Sequence, residues 1–245
     1  MKKGEVFIGT SGWVYEDWWG RFYPKNINPE ERLEYYSKYF DIVEINSSFY
    51  HLPRQKTFKN WSLKTPSQFS FSAKLSRYIT QIKKLNNPKE PLELFLSQSK
   101  GLGKKLQVIL VQLPPNFKKN LKRLEEFLKL LPKKPRFAFE FRHETWLDRE
   151  VYDLLRKYKA GFVIQDSSRW PSAEVVTADF VYLRFHGRVL YASNYPESEL
   201  KKWAERIKKW IGEGLDVYGY FNNDTKAFAI YNALKLKELI STKRH

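Results

Sequence analysis

Arg136-Phe-Ala-Phe-Glu-Phe-Arg142 and Phe180-Val-Tyr-Leu-Arg-Phe-His186 alternate with a period of two. Successive side chains of an extended strand point to opposite faces, so Phe137, Phe139 and Phe141 share one face and Ala138, Glu140 and Arg142 the other. The second run sets Val181, Leu183 and Phe185 against Tyr182, Arg184 and His186 in the same way. A wholly apolar face calls for a covering layer of helices, and the mixed face then turns toward an enclosed axis. Six more short runs read as strands: Val6–Thr10, Asp41–Asn46, Phe69–Lys74, Leu106–Gln112, Gly161–Asp166 and Leu215–Asn222.

Segments of helical period separate these runs. Leu200, Trp203, Ile207, Trp210 and Ile211 form one stripe, Leu121, Leu124, Leu128 and Leu131 a second, and Val151, Leu154, Leu155 and Tyr158 a third. Asn28-Pro29 and Asp148 read as helix starts, and Gly212 with Gly214 as a stop. The strand starts recur at about 30 residues, the size of a strand plus its crossover helix. Eight such units predict a single (β/α)8 TIM barrel of the α/β class over residues 1–245, with an open doubly wound sheet as the alternative. The weakest unit is Pro171–Asp179, where a shortened sixth helix is expected.

The composition fits a large folded domain. The chain has 245 residues, 42% hydrophobic and 17% aromatic, with 44 Lys and Arg against 27 Asp and Glu, a formal charge of +17. It has no Cys, which excludes disulfides, thiol nucleophiles and cysteine metal sites. No apolar run suits a signal peptide or a membrane span, so a cytoplasmic protein with no membrane partner is expected. A Lys- and Glu-rich exterior with one Met also suits a heat-adapted, thermophilic protein.

Alternation carried through all eight runs places Thr10, Glu44, Asn46, Ser72, Lys74, Gln112, Glu140, Arg142, Asp166, Arg184, His186 and Asn222 inward near C-terminal strand ends. That end of a barrel is where active sites sit, while the interior is otherwise packed with apolar side chains. Glu44, Glu140, Asp166 and His186 are the candidate proton-transfer groups. Thr10, Asn46, Lys74, Gln112, Arg142, Arg184 and Asn222, with Trp13, Tyr15, Tyr191, Tyr195 and Asp224 on the loops, are the candidate substrate contacts. A phosphate has a candidate seat where His186-Gly187-Arg188 and Asn223-Asp224-Thr225 offer a glycine turn and a helix start. Three cations beside the carboxylates argue against a metal cage, and no ligand-spacing motif occurs, so no metal is assigned. No phosphate-binding loop or dinucleotide motif is present, so no cofactor is expected.

Ile8-Gly-Thr-Ser-Gly-Trp13 with Tyr15, Trp18 and Phe22-Tyr-Pro24, then Val43-Glu-Ile-Asn46 and Phe49-Tyr50, resemble the YecE-like family, domain of unknown function 72. The resemblance continues through Phe69-Ser-Phe-Ser-Ala-Lys74, Gln112-Leu-Pro-Pro115, Glu140-Phe-Arg-His143, Tyr182-Leu-Arg-Phe-His-Gly187 and Phe221-Asn-Asn-Asp224. It implies a TIM-barrel fold and a site, without a reaction. Gln81 stands where the family pattern has His after Thr80, so no imidazole role is carried over to that position. From the residues, an acid–base hydrolase, lyase or isomerase acting on a small anionic or sugar-like ligand is expected. The alternative is a non-catalytic protein that holds nucleic acid on its basic surface.

Overall fold

The computed structural model describes residues 3–189 and 191–242, so the expected span of 1–245 reaches beyond the described residues at both ends. In chain order the elements are β1 (Val6–Thr10), α1 (Arg32–Tyr36), β2 (Ile42–Ile45), α2 (Ser47–Tyr50), α3 (Gln55–Leu63), β3 (Ser70–Lys74), α4 (Lys89–Ser99) and β4 (Leu106–Gln112). They continue as α5 (Leu121–Leu128), β5 (Arg136–Glu140), α6 (Arg149–Lys157), β6 (Gly161–Ser167), β7 (Phe180–Gly187), α7 (Glu197–Gly212), β8 (Asp216–Phe221) and α8 (Phe228–Ser241). The strands are parallel and neighbour one another in the order β1-β8-β7-β6-β5-β4-β3-β2, the topology of a (β/α)8 barrel.

The barrel closes through a seam. Between β1 and β2 the pairing is a single bridge, Ser11 with Glu44, and the phenol of Tyr36 at the end of α1 fills the gap. Its hydroxyl accepts from Thr10 N (3.0 Å) and donates to the carbonyl of Ile42 (3.1 Å), satisfying polar backbone groups that would otherwise be buried unpaired. Gly9 allows this approach, since a Cβ there would stand 2.3 Å from the Ile42 carbonyl oxygen.

Alternation divides the core in two. Ile42, Val108, Leu110, Ala138, Val163, Phe180, Tyr182, Tyr218 and Tyr220 fill the barrel with Phe7. Phe137, Phe139, Phe141, Leu183 and Phe185 join the layer under the helices, each buried large side chain stabilising the fold by about 1.5–3 kcal/mol. The outer helices start and stop where their chemistry directs. Asp148 caps α6 by accepting from Glu150 N (2.8 Å). After α7, Gly214 takes a left-handed φ of 89°; its N–H and that of Leu215 bond back to Ile211 and Trp210, which meets the last free carbonyls.

The sixth crossover goes further than the expected shortening, because Pro171–Asp179 contains no helix. Its hydroxyls bind strand backbone instead: Thr177 Oγ1 accepts from Phe162 N (2.8 Å) and donates to the Ala160 carbonyl (2.7 Å), and Ser172 Oγ accepts from Gln165 N (3.1 Å). Pro171 and the β-branched run Val175-Val176-Thr177 disfavour a helix, and these side-chain bonds favour an extended path. Among the described residues no helix is long and apolar enough to cross a membrane.

Candidate functional site

Arg184, projecting inward from β7, organises the mouth. It is 1% exposed. Its Nη1 donates to Glu140 Oε2 (2.6 Å), and its Nη2 to Glu44 Oε1 (2.8 Å) and Ser11 Oγ (3.2 Å). Glu44 also accepts from Ser11 Oγ (2.7 Å) and the Tyr182 hydroxyl (2.6 Å). Glu140 accepts from Gln112 Nε2 (2.9 Å) and Arg142 Nε (2.8 Å). Both carboxylates are thus buried, and each oxygen is occupied. Burial alone would raise the Glu140 pKa, but the guanidinium charges of Arg184 and Arg142 overcome it and hold the carboxyl well below its ordinary range.

Above this floor lies a cavity of about 560 Å³ lined by Tyr15, Asn46, Phe49, Tyr50, Lys74, Gln81, Gln112, Arg142, Arg184, Tyr191, Asn222 and Asp224. The size suits a small ligand. Lys74, the last residue of β3, is 8% exposed, with Nζ 4.0 Å from the centre of the Phe49 ring. Burial, followed by the positive charge of Arg184 and Arg142, lowers its pKa to about 7 against the pull of Glu140 and Glu44. His186 is lowered to about 3, by burial and then by Arg184, so its ring is neutral across the physiological range. Asn222 Nδ2 lies 3.2 Å from its Nδ1, and its buried Nε2 has no partner among the described residues. The half-buried carboxyl of Asp224 is pushed up to about 8 by burial, against the opposing influence of the Tyr15 hydroxyl and Arg184. Its Oδ1 is likewise unpartnered. Arg142 stacks on Trp170, 4.5 Å from the ring centre; the helix-free sixth crossover carries that indole to the mouth.

The loop backbone here is tightly constrained. Tyr191, Lys226 and Ala227 hold left-handed φ values of 66°, 53° and 61°, a conformation that costs non-glycine residues energy and clusters at functional sites. Gly12, with φ 102°, turns the chain after β1, and a Cβ there would lie 2.9 Å from the Tyr15 hydroxyl. That hydroxyl donates to the Ser11 carbonyl, which also accepts from Asn46 Nδ2.

Four residues expected at the mouth lie elsewhere. Thr10 faces outward to the Tyr36 hydroxyl (2.9 Å), and Ser11 takes the inward position beside Arg184. Asp166 also faces outward, accepting from Trp203 Nε1 (3.2 Å), while Gln165 turns in and donates to the carbonyls of Phe141 and Pro171. Trp13 packs edge-on to Trp61. Tyr195 is buried against Phe185 and Phe221, its hydroxyl accepting from Gly187 N (2.9 Å). The phosphate seat between the last two loops is occupied by protein: Thr225 N donates to the Tyr191 carbonyl, Lys226 N to Asp17, Ala227 N to the Asp224 carbonyl and Ala229 N to that of Asn223. Phe49, Tyr50, Gln81 and Ser11 were not among the expected contacts. The first two sit on α2, directly after β2, where their place in the Phe49-Tyr50 motif was the available signal. Gln81 donates to the Gln112 carbonyl (2.6 Å), so the position that departs from the family pattern borders the cavity.

Among the described residues no group of three or more His, Cys, Asp or Glu gathers to hold a metal ion. Asp166 points away, and Arg184 claims both glutamates. A larger groove of about 870 Å³ runs beside Gly4, Val6, Ile211 and Ile240, at the N-terminal end of β1 and away from the polar cluster.

Residues 7–245 match the model of the family described as protein of unknown function DUF72. The UPF0759 protein YunF of Bacillus subtilis is 26% identical over 96% of this chain and 94% of its own length. A DUF72 family protein from Thermotoga maritima has a solved structure that superposes with a TM-score of 0.88 at 33% identity, covering 97% of this chain and 100% of that one. One from Enterococcus faecalis superposes at 0.83 with 21% identity over 98% and 97%, a likeness of fold. With the family pattern running through the barrel and its mouth alike, the chain belongs to the DUF72 family, a family of proteins of unknown function.

Proposed function

We propose that the mouth binds a small organic anion and performs acid–base chemistry on it. The observation that carries this reading is an uncompensated lysine in a walled cavity. Glu44 and Glu140 balance Arg142 and Arg184, and a protonated Asp224 adds no charge, which leaves the protonated form of Lys74 to be neutralised by a ligand. In this reading Arg142 and Lys74 hold the anion. Lys74 and Asp224, shifted toward neutrality from opposite sides, exchange protons with it. The acid–base role expected of Glu44 and Glu140 passes to these two groups, because carboxylates with every oxygen occupied serve better as fixed anions that aim the guanidinium groups.

Calorimetric titration with organic carboxylates, phosphate, sugar phosphates and neutral sugars tests the proposal. Lys74→Met and Arg142→Met are each expected to weaken anion binding by about tenfold or more, the value of a charge-assisted contact. Neutral sugars binding as well as anions, with both variants unaffected, would overturn it.

A further inference from the structure

We infer that Lys74 is an imine-forming lysine, and that the anion taken by the mouth carries a ketone or aldehyde carbon close to its charged group, as in a 2-oxo acid. This rests on the reading of the mouth as an anion site and names the substrate class for it.

The geometry separates the Lys74 amine from the ordinary duties of a buried lysine. The two carboxylates nearest in the floor are already bound to Arg184 and Arg142. Among the described residues none forms an ion pair or hydrogen bond with Lys74 Nζ, whose neighbour is the face of Phe49. Lys105 shows the contrast: its ammonium group donates to the carbonyls of Ser62 and Thr65 and to Thr65 Oγ1 at 2.5, 2.8 and 3.0 Å, so each of its three N–H bonds has a partner. A free amine at the wall of a cavity is a nucleophile when it is unprotonated, and the environment that lowers its pKa to about 7 supplies that form at neutral pH. The same cavity wall holds Arg142, suited to a carboxylate in bidentate fashion, and Asp224, a carboxyl with an unpartnered oxygen.

The reaction balances without another reagent. The Nζ lone pair attacks the carbonyl carbon, a C–N bond forms as the C=O π pair moves to oxygen, and that oxygen takes up the proton the nitrogen gives away. The resulting hydroxyl leaves as water with a proton from an acid of the cavity wall, the role assigned here to Asp224, giving the protonated imine. The ketone or aldehyde and the amine thus become an imine and one water, and hydrolysis reverses the sequence. While it lasts, the positive nitrogen draws electrons from the adjacent carbon and eases removal of a proton or cleavage of a carbon–carbon bond there, chemistry of the lyase or isomerase class.

Borohydride trapping tests this. The full chain is incubated at neutral pH with glyoxylate, pyruvate, 2-oxoglutarate or dihydroxyacetone phosphate, reduced, and followed by intact mass and peptide mapping. Binding of the same anions, and of lactate as a carbonyl-free analogue, is measured in parallel on the parent and on Arg142→Met. The expected result is one adduct at Lys74, with the mass of the carbonyl compound less one oxygen. It is absent in Lys74→Arg and suppressed by lactate. Anions that bind in an Arg142-dependent way with no adduct at Lys74 would overturn the imine and leave the anion site standing. Failure of every anion to bind or be trapped would overturn both.

Discussion

Lys74 and Asp224 make opposite demands on folding. A lysine lowered to about 7 in the folded chain binds fewer protons than its unfolded counterpart between pH 7 and about 10.5, so its contribution to stability rises with pH through that window. Below pH 7 its penalty is complete. Asp224, raised to about 8, binds more protons folded than unfolded from about pH 4 upward, and its contribution falls as pH rises toward 8. Lys74→Met should therefore stabilise the protein at pH 6 by on the order of a few kcal/mol, with the gain shrinking from about pH 7 and largely gone near pH 10.5. Thermal melts of both forms across this range check it; a variant that is less stable at pH 6 would show that the lysine is held by contacts stronger than the penalty assigned to it.

At the scale of elements, the legible strands are those whose two faces differ in chemistry. β5 and β7 carry charge on one parity and rings on the other, and Glu140, Arg142, Arg184 and His186 followed directly from it. β1 and β6 are apolar at both parities, as Val6-Phe-Ile-Gly-Thr10 and Gly161-Phe-Val-Ile-Gln-Asp166 show, so the terminal polar residue did not reveal its face. Thr10 and Asp166 accordingly exchange places with Ser11 and Gln165. Trp13 and Tyr195 look from sequence like the rings that line a pocket, yet they pack beneath the mouth, since an aromatic in a loop satisfies either role. The seam was not legible either, because it depends on Tyr36 reaching across two strands. Tyr36→Phe should cost about 1–3 kcal/mol in urea unfolding by leaving Thr10 N unsatisfied. Hydrogen exchange is expected to quicken first in β1 and β2; uniform loss of protection around the barrel would show that the seam holds no special place.

On the scale of the whole molecule, the barrel separates two electrostatic regimes. The formal charge of +17 is largely exterior, with lysine pairs such as Lys118-Lys119 and Lys208-Lys209 outside the mouth. A polyanion held there would lose affinity steeply with salt and be indifferent to a change at Lys74. A small anion inside the mouth meets charges that are buried and screened far less. A thermal-shift screen of parent and Lys74→Met against small carboxylates, phosphates, neutral sugars and short nucleic acids, at pH 6 and pH 9 and at two salt concentrations, separates the two regimes. Small anions are expected to raise the melting temperature of the parent, more at pH 6 than at pH 9 and with little salt dependence, and Lys74→Met is expected to lose most of the shift. Stabilisation by nucleic acid alone, equal in both forms and abolished by salt, would contradict that expectation.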